Sequence, residues 1–429
     1  MKKVLIVTYY YPPSGDSGAQ RWLYFSKYMR DFGVDATVVS VDPKFASFKR
    51  VDEKLCEEID HLKVIRTKSF ELLSLYSYLK SGKKKAAIPQ GEVDTKKGVF
   101  TFLSRFVRGS LMIPDARKGW AKYAYKAAKK EVEKGMYDLL ITSGPPHSTH
   151  LVGKRLKSEF PDLLWMSDFR DPWTDIFYYN DFIRTNSARK KDKALEKEIL
   201  QKSDFVLSVG PSLIELLKEK VPAEMHHKFH TVTNGFDKDK MDAVAPLEKD
   251  QKVWISHIGI LGSHQPYDLF LEAMSGVSAK KEIQLNLVGA LSEYVIKDFR
   301  KLQNVDIHTP GVVNHKEAIS YMKASNLLLL FLPRQKESKL MITGKLMEYA
   351  YTGNPILLIG DTESDGAKLI KDRTNVYAFE DNKNNIPDIT AALTEIFERG
   401  QHLDTSFEKY SRKSTTKELC AIIKDITTS

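Results

Sequence analysis

Short apolar runs alternate with stretches of helical period along most of the chain. Residues 4–9, 36–41, 138–142, 163–167 and 205–209 read as buried strands, and apolar Trp22, Leu23, Phe25 and Met29 recur at helical spacing across 20–31. Helical spacing returns near 121–134 and 147–160. A second series starts at Lys252, with strand-like runs at 253–258, 283–288, 305–308, 327–332, 355–359 and 375–379 and helical spacing between most of them. Strands that alternate with helices imply parallel sheets joined by crossover helices, the α/β class. Asn234-Gly235 turns the chain and a polar stretch runs on to Asp250, so the expected division is 1–240, 250–403 and a polar, helix-compatible tail at 404–429.

Composition narrows the setting. A chain of 429 residues is too long for one ordinary core, and 42% hydrophobic with 28% charged residues is the balance of a soluble globular protein. Cys56 and Cys420 are too few for a disulfide framework or a thiolate metal site, which makes a reducing, cytoplasmic setting the expectation. The apolar start at Val4-Leu5-Ile6-Val7 is cut short by Tyr9-Tyr10-Tyr11-Pro12-Pro13 and does not make a signal peptide. The most hydrophobic run, 326–333, has less than half of the roughly 20 residues needed to span a bilayer.

The net charge of +10 suits anionic small molecules, nucleic acid or an anionic membrane surface. Basic residues crowd 80–118, among them Lys83, Lys84, Lys85, Lys96, Lys97, Arg105, Arg108 and Arg117. Within that segment 100–108 has apolar and basic residues at helical spacing: either an interfacial amphipathic helix resting on the inner face of a membrane, or a solvated loop running into a core-facing helix. No RNA-binding aromatic signature or zinc-finger spacing accompanies the charge, so nucleic acid is not expected as a partner.

The most informative stretch is Thr343-Gly344-Lys345-Leu346-Met347-Glu348-Tyr349, a loop ending in glycine that opens a helix of about two turns. The first turn of a helix exposes unpaired N–H groups and a partial positive charge, which disfavour the Lys345 ammonium. A phosphate there would supply the opposite charge, Gly344 would let the backbone approach it, and Glu348 would accept hydrogen bonds from a sugar. A surface Lys345–Glu348 pair is the alternative.

In open parallel sheets ligands bind at the carboxyl ends of strands, so the loops after strands come next. Gly15, Gly18 and Arg21 lie in a glycine loop that lacks the dinucleotide spacing; it reads as anion contact through backbone amides or as a plain turn. Ser143-Gly144-Pro145-Pro146-His147 places His147 near a helix start, to bond a phosphate or sugar hydroxyl or to cap the helix. In Asp168-Phe169-Arg170-Asp171-Pro172-Trp173-Thr174-Asp175, Arg170 locks one of Asp168 and Asp171 and leaves the other for substrate, unless the whole group is a structural ion-pair network. Gly259 and Gly262 again permit close backbone approach to an anion. The histidines match no ligand spacing and Asp168 with Asp171 is not a D-x-D pair, so no metal site is expected.

Taken in order, the 4–21 pattern, Gly144-Pro145-Pro146-His147-Ser148, Asp168-Phe169-Arg170-Asp171-Pro172-Trp173, Val232-Thr233-Asn234-Gly235-Phe236-Asp237 and Gly344-Lys345-Leu346-Met347-Glu348-Tyr349 resemble the GT-B glycosyltransferases. Within them the likeness is to retaining glycosyltransferase family 4, over nearly the whole chain. It implies two facing Rossmann-like domains, with a saccharide or lipid-linked acceptor on the first and a UDP- or GDP-type sugar donor on the second. It also implies a C-terminal helix returning to the first domain and no cofactor or metal. On this reading His147, Asp168, Arg170 and Asp171 serve the reaction and the acceptor. Gly15, Gly18, Arg21, Gly259, Gly262, Thr343, Gly344, Lys345 and Glu348 serve the donor.

Glu348 matches the second glutamate of the family's E-x7-E motif, which contacts the donor ribose; the first would fall at Leu340. The Gly259–His264 loop lacks the usual basic pair, leaving Lys345, Lys339 or Arg334 to face the diphosphate, with Lys345 preferred. The resulting expectation is a surface-glycan glycosyltransferase of the capsule or lipopolysaccharide type. A nucleotide-sugar epimerase of the same fold and a non-catalytic nucleotide-sugar-binding subunit are its rivals.

Overall fold

The computed structural model describes residues 1–70, 102, 105–176, 179, 181–277, 282–399 and 407–428. Most of the basic 80–118 segment, with residues 100, 101, 103 and 104 of the expected amphipathic helix, lies outside the described residues. The chain divides into two compact units, one of Met1–Thr233 with Thr415–Ser429 and one of Asn234–Ser414.

The first unit is a seven-stranded parallel sheet in the order β3-β2-β1-β4-β5-β6-β7. Its strands are β1 (Lys2–Thr8), β2 (Val34–Val41), β3 (Lys63–Thr67), β4 (Leu139–Gly144), β5 (Leu164–Phe169), β6 (Phe205–Ser208) and β7 (Phe229–Thr231). The second unit repeats the pattern with six parallel strands in the order β10-β9-β8-β11-β12-β13. These are β8 (Val253–Ile258), β9 (Ile283–Val288), β10 (Val305–Gly311), β11 (Leu327–Phe331), β12 (Ile356–Ile359) and β13 (Val376–Phe379). The strand-like runs seen in the sequence all form strands. β3 and β7 are additional: both are edge strands of three to five residues, mostly half-buried, so neither carries the apolar run that marks a central strand.

Period-two alternation distributes the leucine run of β11 over both faces of its sheet. Leu328 and Leu330 enter one core with Trp254, Ile258, Ile356 and Leu358, while Leu327, Leu329 and Phe331 enter the other with Val253, Ile255, Leu357 and Ile359. In the first unit the helix Ser17–Met29 and the C-terminal helix Arg412–Ile426 cover one face of the sheet. Trp22, Leu23 and Phe25 from the former, and Leu419, Cys420 and Ile423 from the latter, share a core with Val4, Ile6, Leu139 and Ile141. The polar tail therefore supplies an apolar stripe worth about 1.5–3 kcal/mol per fully buried large side chain, and it does so in the first unit.

Candidate functional site

At the carboxyl edge of the second sheet, several strands end in a glycine with a conformation that side chains rarely adopt: Gly259 after β8 (φ 125°), Gly289 after β9 (φ 133°), Gly311 at the end of β10 (φ 78°) and Gly360 after β12 (φ 146°). A Cβ on Gly289 would lie 2.2 Å from the Gly259 carbonyl oxygen, so the backbone itself forms the floor of this edge. The amides of Gly259 and Gly262 donate inward, to Val288 O (2.7 Å) and to Gln265 Oε1 (2.7 Å). These two glycines shape the edge without offering their own N–H groups to a ligand.

The helix Gly344–Thr352 starts over that floor. Its register is fixed by Tyr349, fully buried, whose hydroxyl accepts a hydrogen bond from the Ile258 amide at 2.8 Å. This clamp sets Lys345 against β8: its Nζ lies 3.4 Å from where a Cβ on Gly259 would stand. Lys345 is half-buried and has no hydrogen bond or ion pair among the described residues, and burial alone pulls its pKa down to about 8. Burial and the Lys345 charge together depress the neighbouring His257 to about 3, so that histidine is a neutral core residue. Among the described residues the amides of Gly344 and Lys345 have no hydrogen bond and the buried Thr343 hydroxyl has no partner, and open space stands where a Gly344 side chain would be. Unpaired donors and an unpaired ammonium thus share one helix terminus, the arrangement that stabilises an anion.

Glu348 is not paired with Lys345. Its Oε1 lies 2.8 Å from Nε2 of His315, at the start of the helix His315–Ala324. That bond raises the His315 pKa above its ordinary value, against the opposing effects of burial and of the Arg412 and Lys240 charges. Sequence reasoning misses His315, because nothing local marks a residue 33 positions from its partner. Arg334 is committed elsewhere: it grips Asp381 through Nε (2.6 Å) and Nη2 (2.9 Å) and Asp268 through Nη2 (2.7 Å), tying the loops after β11 and β13 to the helix after β8. Lys339 is exposed and Leu340 is half-buried at the end of a short 3₁₀ turn.

The first unit treats its conspicuous residues differently. Asp168 ends β5 fully buried, its Oδ1 taken by Arg21 (Nε 3.2 Å, Nη2 3.1 Å) and its Oδ2 by Trp22 Nε1 (2.7 Å) and Ser143 Oγ (2.7 Å). Arg21 also donates to Val232 O at 2.8 Å. Asp168 and Arg21, expected to serve the reaction and the donor, are both interior, with their polar atoms turned toward each other and toward the core. Arg170 donates to the carbonyls of Gly144 (3.1 Å), Gly18 and Pro145, so it braces two glycine-bearing loops and is not aimed outward. The Gly15 amide donates to Arg50 O at 3.0 Å, and Gly18 packs against Tyr10 and Arg170; neither loop glycine presents a free cradle.

Two residues of that set remain open to chemistry. Asp171 is half-buried, has no hydrogen bond among the described residues, and is raised in pKa by burial that the Arg170 charge only partly offsets. His147 is 3% exposed, stacks on Trp173 with ring centroids 4.7 Å apart, and has no hydrogen-bond partner on either ring nitrogen among the described residues. Burial, with His150, Arg170 and Lys220 adding positive charge nearby, pushes its pKa well below the ordinary value and keeps the imidazole neutral. Among the described residues no group of His, Cys, Asp and Glu side chains is placed to hold a metal ion.

No protein-family model matches the sequence, and no curated protein does. Solved structures match over the whole chain. The lipopolysaccharide outer core galactosyltransferase WaaB in its apo form aligns with a TM-score of 0.58 and 13% identity over 99% of this chain and 100% of that one. Anabaena Alr3699/HepE in complex with UDP aligns with a TM-score of 0.55 and 11% identity over 100% and 98%. A candidate UDP-N-acetylglucosamine 2-epimerase from Listeria monocytogenes aligns with a TM-score of 0.52 and 10% identity over 100% and 97%. At such identities the likeness carries the fold and no more. The chain has the GT-B fold, with a Rossmann-like sheet in each unit and a C-terminal helix packed on the first.

Proposed function

We propose that this chain is a glycosyltransferase that moves a sugar from a nucleoside-diphosphate sugar to an acceptor hydroxyl, of the retaining family 4 type and without a metal. The observation that carries the reading is Lys345. A half-buried ammonium with no carboxylate partner among the described residues, set at a helix N-terminus among undonated amides, is costly by itself and becomes favourable against a diphosphate. The UDP held by the HepE structure supports a uridine donor.

In this reading Lys345 and the amides of Gly344 and Lys345 bind the diphosphate and stabilise the charge that grows on it as the anomeric C–O bond breaks. The acceptor oxygen forms the new bond to the anomeric carbon on the same face, and its proton passes to the departing diphosphate oxygen. That transfer needs no base from the protein. Glu348 binds the ribose hydroxyls, and His147 and Asp171 are the first-unit candidates to orient the acceptor. Leu340, where the motif's first acid would stand, leaves recognition of the transferred sugar to other groups.

The epimerase reading keeps one specific support, the alignment with the Listeria protein. The test is to incubate the purified chain with UDP-glucose, UDP-galactose and UDP-N-acetylglucosamine, with and without saccharide and lipid-linked acceptors, and to follow both released UDP and rearranged sugar. Acceptor-dependent UDP release is expected. Rearranged nucleotide sugar without an acceptor would transfer the assignment to the epimerase, and UDP binding with no turnover under any condition would leave only a binding subunit.

A further inference from the structure

The donor of the proposed reaction is a linear molecule, with a ribose at one end of its diphosphate and a sugar at the other. Three helices of the second unit, His315–Ala324, Gly344–Thr352 and Asp365–Ile370, bury residues in one core with β8, β11 and β12. Because the strand order runs β10-β9-β8-β11-β12-β13, the helix Gly344–Thr352 lies between the other two. Its Glu348 meets His315 on one flank, and its Lys345 stands over Gly259 at the end of β8.

On the other flank the 3₁₀ turn Lys336–Leu340, which follows β11, packs on the helix Asp365–Ile370. Met341 O stands 2.9 Å from where a Cβ on Gly366 would be, and Leu346 Cδ1 3.1 Å. With the ribose toward Glu348 and the diphosphate at Lys345, the sugar on the far phosphate falls beside residues 339–343.

That flank is poor in groups that hold a hydroxyl. Ile342 packs on the core beneath, whereas Leu340 is half-buried outside it and Met341 is 42% exposed. The carboxylates of the adjoining loops are engaged within the protein: Glu363 by Lys368 (3.1 Å) and Lys371 (3.4 Å), Glu380 by the Thr362 amide (2.9 Å), and Asp381 by Arg334 (2.6 Å). The buried Thr343 hydroxyl, without a partner among the described residues, is left for one oxygen of the ligand. Lys339, exposed and without an ion pair among the described residues, is a cation that an acidic sugar would meet.

A hydroxyl pressed against two apolar side chains loses its water and gains no bond in exchange, whereas a methyl group is stabilised by the same contact. We propose that the transferred sugar turns a methyl group to Leu340 and Met341. That methyl is the C6 of a 6-deoxyhexose or the acetyl end of an acetamido sugar. The inference rests on the nucleotide-sugar reading of Lys345 and adds the class of sugar to it.

The test is calorimetric titration of the full chain with UDP, UDP-glucose, UDP-6-deoxyglucose, UDP-N-acetylglucosamine and UDP-glucuronic acid. At least one of the two methyl-bearing donors is expected to bind about fourfold or more tightly than UDP-glucose, the effect of one methyl-sized group buried. Whichever does so identifies the methyl. Met341→Ala should bring the ratio of the two affinities close to unity, and Leu340→Glu should invert it by giving a hydroxyl an acceptor. The ratio cancels any change that either variant makes in nucleotide binding, and Met341 is exposed enough to be truncated without loss of the fold should Leu340→Glu not fold. Methyl-bearing donors that both bind no tighter than UDP-glucose would overturn the proposal, while UDP binding alone still upholds the nucleotide-sugar reading. A ratio unmoved by Met341→Ala and by a folded Leu340→Glu would overturn it as well. UDP-glucuronic acid as the tightest ligand would replace it with recognition of an acidic sugar by Lys339. If UDP itself does not bind, the nucleotide-sugar reading fails and this inference with it.

Discussion

The carboxyl edges of the two sheets follow the same parallel plan and have opposite electrostatics. In the first unit two of the charged residues at the strand ends are saturated: Asp168 has Arg21, Trp22 and Ser143 on its two oxygens, and Arg170 is spread over three carbonyls. In the second unit Lys345 stands unpaired beside amides that donate to nothing described. Buried charge that is fully bonded within the protein holds a scaffold together, whereas buried charge left unsatisfied needs a ligand. The contrast separates residues whose polar atoms the fold satisfies from those it leaves open.

The largest expected effect is on the saturated side. Asp168→Ala should cost about 3–5 kcal/mol of stability by leaving Arg21 buried and uncompensated, seen as a lower midpoint in urea unfolding, with UDP affinity of the remaining folded protein unchanged. A variant as stable as the parent but inactive would reverse the assignment and return Asp168 to the reaction.

Next is Lys345→Met. UDP affinity measured by calorimetry should fall by about 1.5–3 kcal/mol, the value of a hydrogen bond to a charged group, with no loss of stability, because an unpaired half-buried ammonium is removed. Retention of full UDP affinity would break the comparison at its centre. Glu348→Ala should weaken UDP by about 1 kcal/mol and, more specifically, abolish the preference for UDP over its 2′,3′-dideoxy analogue; a preference that survives would dissociate Glu348 from the ribose.

The smallest effects are in pH. Lys345 in the free protein has its pKa lowered to about 8, so UDP affinity should decline as pH rises above 8, and binding should take up protons in buffers of different ionisation enthalpy. His315 is raised by Glu348, so their pair contributes stability that is fully present below about pH 6.5 and is lost as pH climbs through the raised value. Protonated His315 holds Glu348 back from a ribose, and UDP binding should strengthen from about pH 6 toward 8 by on the order of threefold, as befits a partly exposed pair. His315→Gln should flatten that acid limb and leave the alkaline one; a limb that persists in the variant belongs to another group.

Both sheets were legible because central parallel strands are apolar on both faces, and Leu327–Phe331 cannot be read otherwise. The edge strands β3 and β7 were not, since half-exposed strands of a few residues carry no period. The helix at Gly344 was legible from local electrostatics, as were the glycines of the β8 loop from composition. The run of strand-end glycines at 259, 289, 311 and 360 was also written in the sequence and is recognised only when each strand end is known. Spacing alone does not tell three neighbours apart: Asp168, Arg170 and Asp171 sit within four residues, yet one is sealed, one braces backbone and one is left half-open.

By itself the sequence determined the alternation of strands and helices, the two-unit plan and a helix that opens at Gly344 with a lysine in its first turn, because these follow from period and turn chemistry over a few neighbouring residues. Only the tertiary structure decided that Asp168 is bonded to a helix 146 positions away, that Glu348 faces His315 and that Tyr349 sets Lys345 over Gly259. Desolvation and hydrogen-bond satisfaction depend on what the fold brings close, and no local pattern encodes them.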